Sequence, residues 1–173
     1  MNVSQKKEDI ISVSFPDSIT RIDEKAFYQC KNIKTLNLSK NLVFIGSYAF
    51  AGCESLVDVV FPSAVTDIRD YAFASCISLE KVDLSNCSLS TIQEGSFRAC
   101  TNLNTVKLPK NLTTIETYAF NNDISLKELE IPDTVSKIET YAFSGTENCI
   151  LYVSSNSKAQ EYAIGQGMQY KVK

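Results

Sequence analysis

The sequence contains no histidine and no tryptophan. Histidine is the commonest acid–base group near neutral pH and a frequent metal ligand, so its absence removes several classes of site. Ser–His and Cys–His catalytic pairs are excluded, together with every zinc site that contains histidine. Carboxylates are present, but their spacing indicates no paired acid and base. The sequence therefore predicts a protein that is not an enzyme and has no cofactor.

Long apolar runs and a basic stripe are also missing. No run reaches the roughly 18 apolar residues that a membrane span needs. The net charge is −3, and the lysines and arginines are spread along the chain, which argues against nucleic acid or an anionic membrane as the main partner. The start, Met1 to Asp9, is polar and has no apolar segment typical of a secretory signal. We expect either an intracellular protein or a segment of a longer exported protein.

Phenylalanine, by contrast, recurs at a fixed interval. Successive members of the series lie 23 residues apart, except for one spacing of 24. A core residue that returns at such an interval is typical of stacked copies of one small unit, each packed mainly against its neighbours. The series consists of Phe27, Phe50, Phe73, Phe97, Phe120 and Phe143.

The repeats divide the chain into three parts. We expect an N-terminal lead-in over residues 1–11, six repeats over 12–150 and a C-terminal capping unit over 151–173. The extra residue lies in the fourth repeat, near Asn86 and Cys87. Apolar positions on both sides keep their register, which indicates a bulge in a loop. The six copies are residues 12–34, 35–57, 58–80, 81–104, 105–127 and 128–150.

Each copy shows the same apolar pattern. Its second and fourth residues are apolar, as in Val59 and Phe61, which predicts a short strand with one buried face. An isoleucine follows at a fixed position, and then a segment such as Ser47 to Phe50 predicts a short helical or 3₁₀ turn. One unit cannot bury its apolar residues alone, so neighbouring units must stack at a strand spacing of about 4.8 Å.

The complete pattern resembles the BspA-type leucine-rich repeat. It is clearest in Phe61-Pro-Ser-Ala-Val65 followed by Ile68-Arg-Asp-Tyr-Ala-Phe-Ala-Ser-Cys76, and the resemblance extends over residues 12–150. It implies a right-handed α/β solenoid with one short parallel strand per repeat on the concave side and short turns outside. The tail from Val153 is similar to the closing unit of this family, with a short helix near Lys158–Ile164 and a strand at Met168–Val172.

The resemblance also implies a function. Members of the family are mostly surface proteins of bacteria and protist parasites. By resemblance, this chain is an adhesin-like module that binds host matrix or cell-surface proteins, as part of a longer protein that is secreted or held at the cell surface. A second hypothesis, an intracellular protein-interaction scaffold, stays open because the chain shows no signal and carries many thiols.

Four of the six cysteines share one repeat position: Cys30, Cys53, Cys76 and Cys100. In the last two copies the same position holds Asp123 and Thr146, so it favours a compact side chain that can form hydrogen bonds. We expect the thiols to be buried and to donate weakly to nearby carbonyl groups. Parallel Cβ directions disfavour a disulfide between rungs, and a line of ligands does not form a metal site. Cys87, in the insertion, is the candidate for an exposed thiol.

The outward-facing strand residues form a candidate binding surface. On the concave side, charges of both signs interleave in the later copies. The surface has no aromatic anchor, and a solvated face with cross-strand ion pairs is the simpler interpretation. The candidate residues are Asp58, Val60, Lys81, Asp83, Lys107, Glu128 and Glu130.

A column of tyrosines precedes the Ala-Phe pair and offers an alternative surface on the outer side. If exposed, these rings would form a stripe for contact with a partner or for self-association. In the other interpretation, the rings cover the core and only their hydroxyl groups reach water. The column consists of Tyr48, Tyr71, Tyr118 and Tyr141.

Overall fold

The computed structural model describes residues 7–173 of the chain. Residues 1–6 of the predicted lead-in therefore lie outside the described residues. A short 3₁₀ helix, Lys7–Asp9, precedes the first strand. The elements that follow are β1 (Ser12–Ser14), β2 (Arg21–Ile22), β3 (Thr35–Asn37), β4 (Phe44–Ile45), β5 (Asp58–Val60), β6 (Asp67–Ile68), β7 (Lys81–Asp83), β8 (Thr91–Ile92), β9 (Thr105–Lys107), β10 (Thr114–Ile115), β11 (Glu128–Glu130), β12 (Lys137–Ile138), β13 (Ile150–Val153), α1 (Lys158–Gln166) and β14 (Tyr170–Val172).

The first strands of successive repeats stack in parallel, with one interruption of the ladder between β9 and β11. One sheet has the order β1-β3-β5-β7-β9, and a second has the order β11-β13-β14. Equivalent residues face each other across the rungs, so that Val59 lies opposite Leu36 on one side and Val82 on the other. From β3 to β11 the middle residue of each of these strands is buried and its two neighbours are exposed. The predicted parallel solenoid is thereby confirmed.

A second strand of two residues occurs in each repeat and ends at the repeated isoleucine, which the sequence analysis did not predict. These short strands pair as β2-β4-β6 and as β8-β10-β12. The break between β6 and β8 coincides with the fourth repeat, whose extra residue lengthens the chain between Leu84 and Leu89. The insertion therefore interrupts this second ladder while the first continues from β5 through β7 to β9.

The segment around each Ala-Phe pair is a series of tight turns. The N–H groups of Tyr28 and Cys30 bond to carbonyl groups three residues earlier, whereas those of Phe27 and Gln29 bond to the next rung. Lys25 and Gln29 have positive φ angles of 56° and 58°. The bonds match the predicted 3₁₀ pattern, but the left-handed residues keep them from continuing as a helix. Alternate N–H groups thus point along the solenoid axis and link the rungs.

The phenylalanine series forms the centre of the core. The rings of Phe50, Phe73, Phe97 and Phe120 stack with near-parallel planes and centroid distances of 5.2, 5.9 and 5.8 Å. Each of these four side chains is fully buried. Phe27, in the first repeat, is only partly buried. The predicted column of stacked core residues is confirmed.

The C-terminal unit closes the column. Helix α1 begins at Ser157, whose hydroxyl oxygen accepts a hydrogen bond from the N–H of Gln160, and ends at Gly167 in the left-handed conformation. The helix is two residues longer at its C-terminus than predicted. Tyr162 packs edge-on against Phe143 at a centroid distance of 6.0 Å and so covers the last ring of the series.

Candidate functional site

An open groove of about 870 Å³ lies on the concave side over the later rungs. Residues of β9 and β11 form its floor, at the place where the ladder of first strands is interrupted. Tyr152 of β13 and Lys173 add to its lining from the C-terminal unit. The groove is therefore built at the junction between the repeats and the unit that closes them.

All seven residues of the predicted concave face are exposed in the structure. Three of them line the groove, namely Lys107, Glu128 and Glu130. The structure places the other four on earlier rungs of the same face, and they do not line the groove: Asp58, Val60, Lys81 and Asp83.

Ion pairs connect the strands on this face. Lys107 Nζ lies 2.9 Å from Asp83 Oδ2, and both side chains stay largely in contact with water. Hydrogen bonds from Ser85, together with the ammonium group of Lys107, lower the pKa of Asp83 to about 2, so its carboxylate is ionised at neutral pH. Exposed pairs of this kind stabilise a fold by only about 0–1 kcal/mol. These ion pairs orient the charged side chains, and a binding partner would lose little free energy by breaking them to form its own.

Lys173 organises the other end of the groove. Its Nζ lies 3.2 Å from Glu130 Oε1 and 3.0 Å from Asp133 Oδ1. The hydroxyl of Ser154 and the ammonium group of Lys173 lower the pKa of Asp133. Lys173 also donates to the carbonyl oxygen of Ile131 at 2.9 Å, so the last residue of the chain is attached to the groove wall.

Tyr152 supplies the aromatic group that the sequence analysis found missing from this face. Its hydroxyl lies 3.5 Å from Glu128 Oε2, and Lys171 Nζ lies 5.6 Å from the centroid of its ring. Tyr152 is opposite Glu130, 22 residues earlier. If the 23-residue interval continued past residue 150, Tyr152 would fall at the second, buried position of the next copy. For this reason the sequence analysis did not place it on the concave face. The alternation of buried Leu151 and Val153 with Tyr152 was the available signal.

The tyrosine column does not form a continuous stripe. Tyr48 stacks on Tyr71 at 5.1 Å, and Tyr118 stacks on Tyr141 at 5.9 Å. Gly95 fills the position between the two pairs, where an added Cβ would lie 2.3 Å from the ring of Tyr71. Tyr141 is 53% exposed, and the other three rings are half-buried. The outer surface therefore presents two stacked pairs, of which the second ends in one exposed ring.

The thiol ladder has the predicted geometry. The Sγ atoms of Cys53, Cys76 and Cys100 lie 3.4, 3.3 and 3.2 Å, respectively, from the carbonyl oxygen of the phenylalanine in the preceding rung. All six cysteines are free and buried. Burial raises the pKa of Cys53 to about 12 and the pKa values of Cys76 and Cys100 well above the ordinary thiol value. These thiols therefore act as packing and donor groups and are poor nucleophiles.

The prediction that Cys87 is exposed was wrong. Its side chain is 5% exposed, and Sγ points to the carbonyl oxygen of Pro62 at 3.6 Å. The N–H of Cys87 bonds to the carbonyl of Leu84, so the bulge folds as a turn that directs the thiol inward. Burial raises the pKa of Cys87 to about 11.

Residues 7–173 contain neither a cluster of acidic and cysteine side chains suited to a metal ion nor a helix with the length and apolar character of a membrane span. The groove instead offers ammonium groups, carboxylates and one phenol. Such a set of groups suits non-covalent recognition of a polar surface.

Comparisons with known proteins agree with the architecture. The family model of the BspA type leucine rich repeat region matches six copies, over residues 3–86 and 20–150. A leucine rich cell surface protein from Faecalibacterium prausnitzii has a solved structure with a TM-score of 0.76 and 34% identity, covering 85% of this chain and 39% of that one. No similar sequence was found among curated proteins.

Two further solved structures share the fold at lower identity. The pneumococcal vaccine antigen PcpA has a TM-score of 0.74 and 18% identity, with 98% of this chain and 43% of that chain covered. The leucine rich repeat protein of T. pallidum has a TM-score of 0.55 and 24% identity, with 86% and 60% covered. The chain thus spans between 39% and 60% of the length of these proteins.

Proposed function

Because the chain belongs to the BspA-type leucine-rich repeat family, we propose that it is a non-enzymatic protein-binding module that holds its ligand on the concave face. The proposed ligand is a host matrix or cell-surface protein, bound in the manner of an adhesin. The proposed location is the cell surface, within a longer protein. The similarity to a leucine rich cell surface protein supports this location.

The groove between the repeats and the closing unit carries the proposal. It joins a half-buried aromatic ring, Tyr152, to charged groups of both signs on hydrogen-bonded strands. Binding hot spots are enriched in tyrosine, and charged groups at the rim set the orientation and the rate of association. Since the strands are already fixed by their neighbours, a ligand does not have to order this surface on binding.

The test compares two faces of the molecule. Wild-type chain is used to capture ligands from solubilised matrix and surface proteins, and the dissociation constant of each purified ligand is then measured by biolayer interferometry. The concave-face variant carries Asp83→Lys and Glu130→Lys, which reverse two exposed charges. The matched control is Tyr141→Ala, which removes the exposed ring of the outer side.

We expect the concave-face variant to fold normally, because both reversed charges are exposed, and to bind at least tenfold more weakly, about 1.4 kcal/mol. The control variant should bind like the wild type. The reverse result, with loss only in the control, would place the ligand on the tyrosine side and contradict the proposal. A further variant, Tyr152→Ala, measures how much the aromatic ring contributes to the binding free energy.

The thiols do not favour the alternative of an intracellular scaffold. Free cysteines indicate a reducing compartment when they are accessible to oxidants. Here all six are buried, and burial is the largest cause of the raised pKa of each thiol. Thiols of this kind oxidise slowly in any compartment.

A further inference from the structure

In four of the five later repeats, one side chain donates a hydrogen bond to the phenylalanine carbonyl of the repeat before it. Cysteine is the donor in the second, third and fourth repeats. In the sixth repeat, Thr146 Oγ1 donates to the carbonyl oxygen of Phe120 at 2.7 Å and also accepts the N–H of Asp123 at 3.1 Å. A thiol and a hydroxyl have in common a hydrogen that they can donate, so the position requires a donor.

Asp123 holds this position in the fifth repeat and has no exposed surface. Its Oδ1 accepts the N–H of Cys100 at 2.8 Å, the same bond that Thr146 accepts one rung later. Its Oδ2 is buried and, among the described residues, has no hydrogen-bond partner. By position in the ladder, the carbonyl oxygen of Phe97 is the acceptor for this rung, and no side chain of residues 7–173 donates to it.

We propose that Asp123 is a neutral carboxylic acid in the folded protein, with its Oδ2 hydroxyl donating to the Phe97 carbonyl oxygen and its Oδ1 accepting from Cys100. The neutral acid then forms one accepted and one donated hydrogen bond through its two oxygens, whereas Thr146 forms the same two bonds through its single hydroxyl group. An ionised carboxylate has no hydrogen to donate. It would leave Oδ2 and the Phe97 carbonyl oxygen as two buried acceptors with no hydrogen between them. The proton therefore completes the ladder.

The surroundings of Asp123 favour the neutral form. Burial raises the pKa of Asp123 well above its ordinary value, and the hydrogen bond from the Cys100 backbone only partly opposes this. The groups that face it are the thiols of Cys100 and Cys149, themselves protonated, and the hydroxyl of Thr146. No cation within residues 7–173 forms an ion pair with Asp123.

This proton makes the stability of the solenoid depend on pH. The native state binds the proton to a higher pH than the unfolded chain, in which aspartate has a pKa of about 3.9. The contribution of Asp123 is therefore fully present below that value and is lost as the pH rises towards the native pKa. Between the two values the folding equilibrium constant falls about tenfold per pH unit through this group. The affected rung supplies β9, which forms part of the groove floor.

A carbon-13 NMR titration tests the protonation state directly. The full chain is labelled at the aspartate carboxyl carbons, and Asp123→Asn identifies the signal. We expect this signal to keep the chemical shift of a protonated acid at pH 7, at which an unperturbed aspartate, with a pKa of about 3.9, is ionised. A midpoint near pH 4 for Asp123 would overturn the proposal.

Denaturation between pH 4 and pH 8 tests the linkage. In Asp123→Asn, the amide donates to Phe97 and accepts from Cys100 but has no proton to lose. We expect the ratio of folding constants, variant to wild type, to grow about tenfold per pH unit above pH 4 until native Asp123 ionises. The control Asp58→Asn, at an exposed aspartate, should show no such trend. A pH-independent ratio for Asp123→Asn would contradict the linkage. If that variant does not fold, Asp123→Thr takes its place, with the same expected trend.

Discussion

Replacing Phe73 with alanine removes the ring that has most neighbours in the core column. The ring is fully buried, stacks at 5.2 Å on Phe50 and at 5.9 Å on Phe97, and meets the edge of Phe61 at 5.4 Å. Truncation of a buried phenylalanine costs about 3–5 kcal/mol, a range that includes the cavity left behind. Because three aromatic contacts are lost together, we expect about 4–5 kcal/mol for Phe73→Ala. The melting temperature should fall by roughly 8–20 °C.

Phe27→Ala is the matched control, because it is the same substitution at the end of the column. Phe27 is only partly buried, stacks on Phe50 alone at 5.3 Å and has one edge contact with Phe15. We expect about half the loss, roughly 2 kcal/mol, since less apolar surface leaves the core. Urea denaturation followed by circular dichroism measures both variants. Equal losses, or a loss below about 1 kcal/mol for Phe73→Ala, would refute the reasoning from a stacked column.

Two further perturbations concern glycines and thiols. Gly46→Ala should destabilise the chain by about 1–3 kcal/mol, because the new Cβ would lie 2.6 Å from the backbone nitrogen of Glu24. Gly165→Ala lies in α1, and outside the backbone of that helix its added Cβ would have no atom within 4 Å, so it should stabilise the chain by about 0.5–1 kcal/mol. Thermal denaturation of both variants gives the two signs, and a shared sign would be inconsistent with this packing. An aromatic disulfide reagent should react slowly with the native chain and with all six thiols after unfolding, since burial raises the thiol pKa values; rapid reaction of any native thiol would show that the ladder opens.

The repeat core could be predicted because each buried position recurs at a fixed interval. Phe73 sits in the same environment as the phenylalanines above and below it, so six copies of one pattern reinforce a single interpretation. The concave face was predicted for the same reason, from the alternation along each strand. Departures from the interval were not predictable in this way. Cys87 and Tyr152 both lie where the spacing changes by one residue: Cys87 was predicted to be exposed and is buried, and Tyr152 was not predicted as part of the concave face.

The second strand column and the groove depended on contacts between rungs. A two-residue strand has too little sequence to show a period, and it exists only because the next rung provides its hydrogen-bond partners. The groove arises where the ladder between β9 and β11 is interrupted, and its lining joins residues from three repeats to the C-terminal unit. Lys173 lies 43 residues from Glu130 along the chain, and no local pattern indicates that pair.

The sequence by itself determined the stack of rungs, the residues of its core and the absence of histidine chemistry, because periodic burial is a local property repeated six times. Tertiary structure alone decided which exposed groups meet across the concave face, that Cys87 points inward and that both oxygens of Asp123 lie inside the core. Those outcomes depend on how one rung is placed against the next. A shift of one residue within a strand or turn, which composition does not show, turns the local side chains to the other face, as the burial of Cys87 and the half-buried position of Tyr152 illustrate.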